Sequence, residues 1–234
     1  LPMESGFGTV LRDAQARLIP AWMAVGFIHG VMNTDNASIA GETIDYGPCA
    51  FMDVYHPNTV FSSIDQMGRY AYANQPDIAV WNLAQLATAL IQQMEDREAA
   101  VEEATEIVHA MPELMRQEWL RRFAAKLGIS DVREKDAALV ADLLTRMAHQ
   151  QADFTNTFRS LGTDKVRDQF TDPGAFDQWA DGWKARLECE PDPEALMRAS
   201  NPAFIPRNHR VEQMIEAAVK GDYAPFHRLN SVLS

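Results

Sequence analysis

The stretch that decides the fold reads HGVMNTDN at residues 29–36, and DYGP follows at residues 45–48. Carboxylate and amide side chains are too dense in these two segments for an ordinary hydrophobic core. A divalent cation on a triphosphate takes oxygen ligands, usually one or two carboxylates or amides together with phosphate and water oxygens. Asn36 and Asp45 supply such a pair. The two segments therefore predict a site for a magnesium nucleotide.

The spacing of these residues is typical of enzymes that transfer phosphate. In kinase-type sites, a catalytic-loop Asn and the Asp of a later Asp-aromatic-Gly turn hold the metal ions, while another Asp receives the acceptor's proton. Asp45 opens such a turn, but Gly-Val stands where protein kinases have Arg-Asp after the His, and the nearest acid is Asp35. This departure counts against ordinary protein phosphorylation. Taken alone, Asp35 and Asn36 are more typical of a turn or a helix cap, so their spacing supports only a candidate metal site.

Further segments in a fixed order carry a resemblance to a known family. Together with residues 29–36, they closely resemble the selenoprotein O family, and the likeness covers most of the chain from about residue 10. The segments are TIDYGP at 43–48, DQMGRYA at 65–71, NQP at 74–76, WNL at 81–83, NP at 201–202 and RN at 207–208.

The resemblance implies a kinase-like fold, once regarded as a pseudokinase, that transfers AMP from ATP to Ser, Thr or Tyr hydroxyls of proteins. By matching position, Asp35 is the proton acceptor, Asn36 and Asp45 bind Mg²⁺, and Asp45 also lies near the nucleotide phosphates. Mn²⁺ is the alternative metal. The implied location is cytoplasmic in a bacterium, or mitochondrial in a eukaryote.

Composition narrows the class of partner. The chain has 234 residues, 47% of them apolar, which is ordinary for a globular protein. Its 33 acidic and 21 basic side chains give a net charge of −12, which argues against nucleic acid or an anionic membrane as the main partner. The lone Cys49 and Cys189 fit a reducing compartment. The most apolar run, residues 18–32, is too short and too interrupted for a membrane span.

Apolar residues at helical spacing predict a mainly α-helical chain, with a helix over residues 9–28 leading into the site and another starting at NQP, 74–76. Pro112 is expected to interrupt the helical region that follows. Residues 37–44 are expected to form a short β-hairpin that brings Asn36 and Asp45 to one metal.

Three side chains near the site are assigned structural roles. His29, at the end of an apolar helix, is expected to be packed and hydrogen-bonded rather than to act as a ligand or base. Trp81 is predicted to lie in the core. Arg69 is expected to form a buried ion pair with Asp53 or Asp65.

The predicted fold is a mainly α, protein-kinase-like large (C-terminal) lobe with a short β-hairpin at the metal site and a helical C-terminal extension. Residues 1–8 are expected to be a disordered start or a remnant added to the natural chain. Residues 9–234 are expected to form one unit, in which 9–76 carry the catalytic loop and an activation-like segment and 77–234 form a helical body.

The leading functional hypothesis is part of a protein adenylyltransferase that uses ATP and Mg²⁺. No Gly-x-Gly-x-x-Gly loop and no strand Lys paired with a helix Glu is visible, so the chain alone is expected to be inactive without an N-terminal nucleotide-cradling region. One alternative is a kinase-like phosphotransferase with the same metal site. The other is a non-catalytic helical interaction domain in which the acidic pair is a structural turn.

Overall fold

Helices dominate the computed structural model, which describes residues 6–234, and the mainly α prediction is confirmed. The strands β1 (Phe27–Ile28) and β2 (Ala50–Phe51) pair in a small antiparallel sheet. The α-helices are α1 (Phe7–Ala24), α2 (Gln75–Ile91), α3 (Arg97–Lys126), α4 (Asp136–His149), α5 (Phe154–Ser160), α6 (Pro173–Leu187), α7 (Pro193–Ser200), α8 (Asn208–Val219) and α9 (Ala224–Leu233).

The described residues group into two compact units. The first contains the residues up to 24, 28–49 and 57–122, and the second contains 25–27, 50–56 and 123–234. Whether the chain acts as one kinase-like lobe stays a prediction. Of the expected disordered start, residues 1–5 lie outside the described part of the chain, while Phe7 and Gly8 already belong to α1.

In the first unit, α1 and α2 pack against each other through their apolar faces. As predicted, α2 begins at the NQP segment, with Pro76 in its first turn. Pro is favoured there because the first turn does not use its missing N–H. The buried Tyr72 hydroxyl donates a hydrogen bond to the Met23 carbonyl oxygen at 2.7 Å. This bond fixes the residues just before α2 against the end of α1.

Aromatic side chains build the core of the second unit. The rings of Phe123, Phe154 and Phe158 meet edge to face, with centroids 5.1–6.4 Å apart. Trp179 and Trp183 on α6 stack at 5.3 Å and are both buried. Their indole N–H groups donate to backbone carbonyl oxygens, which satisfies the polar edge of each ring.

The predicted interruption at Pro112 is wrong, because α3 runs through it from Arg97 to Lys126. A proline inside a helix costs about 3 kcal/mol, since it removes one backbone hydrogen bond and crowds the preceding turn. Met111 and Met115 are buried one turn apart on the same face. Each buried methionine contributes roughly 1.5–3 kcal/mol, which offsets the cost of the proline.

The hairpin predicted over residues 37–44 is also wrong, since that segment contains no strand. Side chains of α1 form hydrogen bonds with polar groups of this segment instead. Gln15 Nε2 donates to the Ser38 carbonyl oxygen at 2.7 Å, and Trp22 Nε1 donates to Thr43 Oγ1 at 2.8 Å. The observed strands, β1 and β2, come immediately before and after residues 29–49 in the chain.

Within residues 6–234, none of the helices combines the length and the apolar character that crossing a bilayer requires.

Candidate metal and nucleotide site

Asp35 and Asn36 lie in a single 3₁₀ turn, Thr34–Asn36. The turn is closed by the Asn36 N–H, which donates to the Asn33 carbonyl oxygen at 3.0 Å. Asp35 is exposed to solvent. Asn36 is half-buried, and its Nδ2 donates to the Val31 carbonyl oxygen at 3.0 Å. Because the amide nitrogen is used in this way, Oδ1 is the Asn36 atom that can bind a cation.

Asp45 has an unusual backbone conformation, with φ of +53°. Few residues other than glycine adopt this left-handed region, although Asp and Asn do so more readily than most. The side chain of Asp45 is exposed. The preceding residue, Ile44, is fixed through its carbonyl oxygen, which lies 2.7 Å from His29 Nε2. The backbone therefore presents the Asp45 carboxylate at a defined position on the surface.

His29 is a structural anchor, as the sequence predicts. It is fully buried, and its ring lies 5.4 Å from that of Trp22. Nδ1 accepts from the Val31 N–H at 3.4 Å, so the tautomer with hydrogen on Nε2 fits both ring contacts. The His29 backbone N–H donates to Gln75 Oε1 at 3.1 Å. With both ring nitrogens engaged in holding the loop, His29 is poorly placed to act as a base.

The backbone also brings residues 44–48 alongside residues 29–31. A Cβ on Gly30 would lie 3.0 Å from the Pro48 carbonyl oxygen, and φ at Gly30 is +86°, so only glycine fits this close approach. Asn36 is hydrogen-bonded to Val31, and Asp45 follows the residue that is bonded to His29. The backbone around each predicted metal ligand is thus tied to the same three-residue segment. Side-chain anchors achieve this arrangement without the hairpin that the sequence suggested.

Two further residues hold this loop, and no individual role was predicted for either of them. Asn82 Nδ2 donates to the Met32 carbonyl oxygen at 3.1 Å, and the Tyr70 hydroxyl donates to Asn33 Oδ1 at 2.5 Å. Asn82 is buried, and its Oδ1 has no hydrogen-bond partner among residues 6–234. The sequence feature that could have indicated this role is an amide among the buried residues of α2, because burying a polar group is costly unless it forms a hydrogen bond.

A pocket of about 300 Å³ lies between α1, α2 and residues 34–42. Its walls are mainly apolar, with Leu18, Trp22, Leu83 and Leu86 among them, and Asn36 is one of its polar lining residues. The predicted metal ligand therefore borders a concave region of the first unit.

The oxygen atoms of Asn36 and Asp45 suit a hard cation whose remaining ligands are water and phosphate oxygens. Nowhere in residues 6–234 do three or more His, Cys, Asp or Glu side chains form a group able to hold a metal. One carboxylate and one amide oxygen suit Mg²⁺, which prefers oxygen and retains waters and phosphate oxygens. The same pair lacks the nitrogen and sulfur ligands typical of a zinc site. The side chains of Asn36 and Asp45 therefore supply oxygen donors of the kind that Mg²⁺ binds.

The predictions for Trp81 and Arg69 are wrong. Trp81 is 42% exposed, and the Arg69 guanidinium carbon lies 4.8 Å from its ring centroid. The buried face of α2 passes through Ile78 and Asn82, which places Trp81 at its edge. Arg69 is exposed, and the predicted partner Asp53 is bound by Arg207 instead. Asp65 accepts the backbone N–H of Arg69, not its guanidinium.

Comparison with known proteins gives consistent matches over nearly the whole chain. The protein-family model described as "Protein adenylyltransferase SelO" matches residues 5–234. A relative named protein nucleotidyltransferase YdiU, from Ruegeria pomeroyi, is 73% identical over 229 residues, which cover 98% of this chain and 48% of the relative. The protein of the same name from Roseobacter denitrificans is 65% identical, over 92% of this chain and 46% of the relative. The one from Bradyrhizobium diazoefficiens is 55% identical, over 97% of this chain and 48% of the relative. The chain thus spans about half the length of the curated relatives it matches.

Proposed function

Because the chain belongs to the protein adenylyltransferase SelO family, we propose that it supplies the metal-binding and acceptor side of a site that transfers AMP from ATP to protein hydroxyls. Members of this family are protein nucleotidyltransferases. One observation supports the finer proposal: Asn36 is hydrogen-bonded to Val31, the residue before Asp45 is bonded to His29, and the exposed Asp35 lies in the same turn as Asn36.

Asn36 Oδ1 and the Asp45 carboxylate would hold Mg²⁺ on the nucleotide phosphates, where it would neutralise their negative charge. Asp35 is proposed to accept the proton of a Ser, Thr or Tyr hydroxyl. The hydroxyl oxygen then forms a bond to the α-phosphorus of ATP, the bond from that phosphorus to the bridging oxygen breaks, and pyrophosphate leaves. Its exposure makes the Asp35 carboxylate accessible to a protein acceptor.

His29, Asn82 and Tyr70 are positioning residues in this proposal. They bind backbone or side-chain atoms of the loop and keep the ligand-bearing turns in place before the nucleotide arrives. Preorganisation of this kind lowers the cost of bringing donor and acceptor together.

The relatives contain about as much polypeptide again as this chain. We therefore propose that the chain alone does not transfer AMP and that the remaining polypeptide helps to orient ATP. Mn²⁺ is proposed to substitute for Mg²⁺, since it also binds oxygen ligands. The proposed setting is a bacterial cytoplasm, which agrees with the free thiols of Cys49 and Cys189.

The test uses the full-length protein that contains this chain, incubated with Mg²⁺ and ATP labelled at either the α- or the γ-phosphate. Asp35→Asn, Asn36→Ala and Asp45→Ala are compared with Asp181→Ala, which removes an exposed carboxylate on α6. The proposal expects protein labelling from the α position only, lost in the first three variants and retained in the control.

The other outcomes identify the alternatives. Label transferred only from the γ position would show a kinase-like phosphotransferase. If folded wild-type protein transfers neither label, and Asp45→Ala changes no measurable property, the interaction-domain alternative is supported instead.

A further inference from the structure

Two large apolar side chains stand almost fully in solvent on one surface turn. Ile64 is 81% exposed and Met67 is 93% exposed. Single exposed apolar residues are common and need no explanation. Ile64 and Met67 lie three positions apart on a segment that connects to the candidate site, so this segment offers two apolar side chains to a partner. We call residues 62–70 the apolar turn.

The apolar turn is held by an internal set of hydrogen bonds. The Asp65 carboxylate accepts the backbone N–H groups of Arg69 and Tyr70, both at 2.8 Å. The Asp65 N–H donates to the Ser62 carbonyl oxygen at 3.2 Å. Asn74 Nδ2 donates to the Gly68 carbonyl oxygen at 2.8 Å. A turn ordered in this way loses little conformational freedom when a partner binds to it, which favours binding.

The turn is continuous with the candidate site. Its last residue, Tyr70, donates to Asn33 Oδ1 at 2.5 Å, and Asn33 is two residues before Asp35. A polypeptide that lies on Ile64 and Met67 could therefore extend toward the Asp35 carboxylate.

The same segment also carries a positive charge. The exposed Arg69 guanidinium lies over Trp81, at 4.8 Å from the ring centroid, in a chain whose net charge is −12. Stacking on the indole restricts the side chain while leaving guanidinium N–H groups for a carboxylate. The surface near Asp35 thus pairs apolar contacts with one cation.

From this arrangement we propose that the apolar turn binds the acceptor polypeptide. Ile64 and Met67 contact an apolar side chain of the acceptor, and Arg69 binds one of its carboxylates, while the acceptor hydroxyl reaches Asp35. The preferred acceptor segment carries a Leu, Ile, Met or Phe and an acidic residue near the modified hydroxyl. This inference rests on the proposed adenylyl transfer and specifies its acceptor.

The experiment compares two fluorescent peptides with the full-length protein. The first carries Leu and Glu near a central Ser, and in the second these are replaced by Ser and Gln. Binding is measured by fluorescence anisotropy without nucleotide, and transfer is measured with ATP labelled at the α-phosphate. The variants are the double substitution Ile64→Ser with Met67→Ser and, as a matched control, Val219→Ser, at an 82% exposed position on α8.

The proposal expects the wild type to bind the Leu/Glu peptide about tenfold more tightly than the polar peptide. This ratio is the gain in affinity expected when the bound peptide buries roughly 50 Å² of apolar surface. The double variant should lose the part of this preference that the apolar contacts supply, raising KM for the Leu/Glu peptide while leaving kcat and the affinity for Mg-ATP unchanged; the part that Arg69 supplies should remain. Val219→Ser should behave as the wild type does. Thermal denaturation confirms that each variant is folded.

Equal binding of the two peptides by the wild type would overturn the proposal, as would a double variant that keeps the full preference of the wild type. A double variant that changes only the oligomeric state would also overturn it, by showing that a second copy covers the turn. Selective peptide binding without α-phosphate transfer would support the docking surface and contradict the proposed function, so the two failures are distinguishable.

Discussion

Lys126 offers the sharpest test of the second unit, because a lysine is buried there among aromatic rings. The side chain is 2% exposed, and its Nζ lies 4.4 Å from the ring centroid of Phe158 and 5.4 Å from that of Phe154. Burial lowers the pKa of Lys126 from 10.5 to about 7. The change we consider is Lys126→Met, which keeps a long side chain and removes the titrating group.

The direction of the pH effect follows from proton binding. Between pH 7 and about 10.5, the unfolded chain keeps the Lys126 proton and the folded chain releases it, so the free energy of unfolding rises with pH in that window. The slope approaches about 1.4 kcal/mol per pH unit. Below pH 7 both states hold the proton, and the full cost of burying the charge remains. Contacts of the ammonium with the rings oppose part of this cost, so the measured slope is expected to lie below the limit.

Urea denaturation of the wild type and Lys126→Met at pH 7, 8 and 9 measures this difference. The variant is expected to be more stable at pH 7, by several kcal/mol at most, and its advantage should shrink at each step in pH. Lys184→Met, at an exposed position on α6, is the matched control and should show no such trend. Parallel pH curves for the wild type and Lys126→Met would refute the reasoning.

Three further predictions concern the site loop. Asn82→Ala should lower the free energy of unfolding by about 1–3 kcal/mol, because the Met32 carbonyl oxygen loses its hydrogen-bond donor. Gln85→Ala, at an exposed position on α2, is the control and should leave that free energy unchanged. Chemical denaturation measures both. Asp45→Gly should keep or raise stability by about 1 kcal/mol, since φ of +53° costs glycine little, yet it should abolish α-label transfer by the full-length protein. Gly30→Ala should lower the free energy of unfolding by about 1–3 kcal/mol, because the added Cβ would crowd Pro48 and φ at this position is +86°. An unchanged melting temperature would contradict the close approach of Gly30 to Pro48.

Helix positions in this chain could be predicted because each helix buries one face. Apolar spacing located α1 and α2, because the apolar residues of each helix recur on the side that is buried. The continuation of α3 through Pro112 could not be predicted in the same way. It depends on the burial of Met111 and Met115 in the folded chain, which a local rule for proline does not include.

Trp81 shows a second limit of the sequence pattern. An aromatic residue in a strongly apolar helix is expected to be buried, and composition does not reveal which side of the buried face it occupies. The deciding factor is Asn82, whose bond to Met32 turns that side of α2 inward and leaves Trp81 at the edge, where Arg69 stacks on it. A polar residue that binds the loop thus sets the orientation of its apolar neighbour.

The failed hairpin explains why the candidate site depends on the core of the first unit. Strand pairing would have joined the segments around Asn36 and Asp45 through their own backbones, making the site a local structure. Instead, the segment is bonded to Gln15, Trp22 and His29, residues that α1 and its end hold in place. It follows that a loss of packing in α1 should displace Asp45 before the chain unfolds globally, so binding of Mg-ATP by the full-length protein should fall at a lower urea concentration than its helical circular dichroism. Coincident transitions would show that the loop keeps its geometry without these anchors.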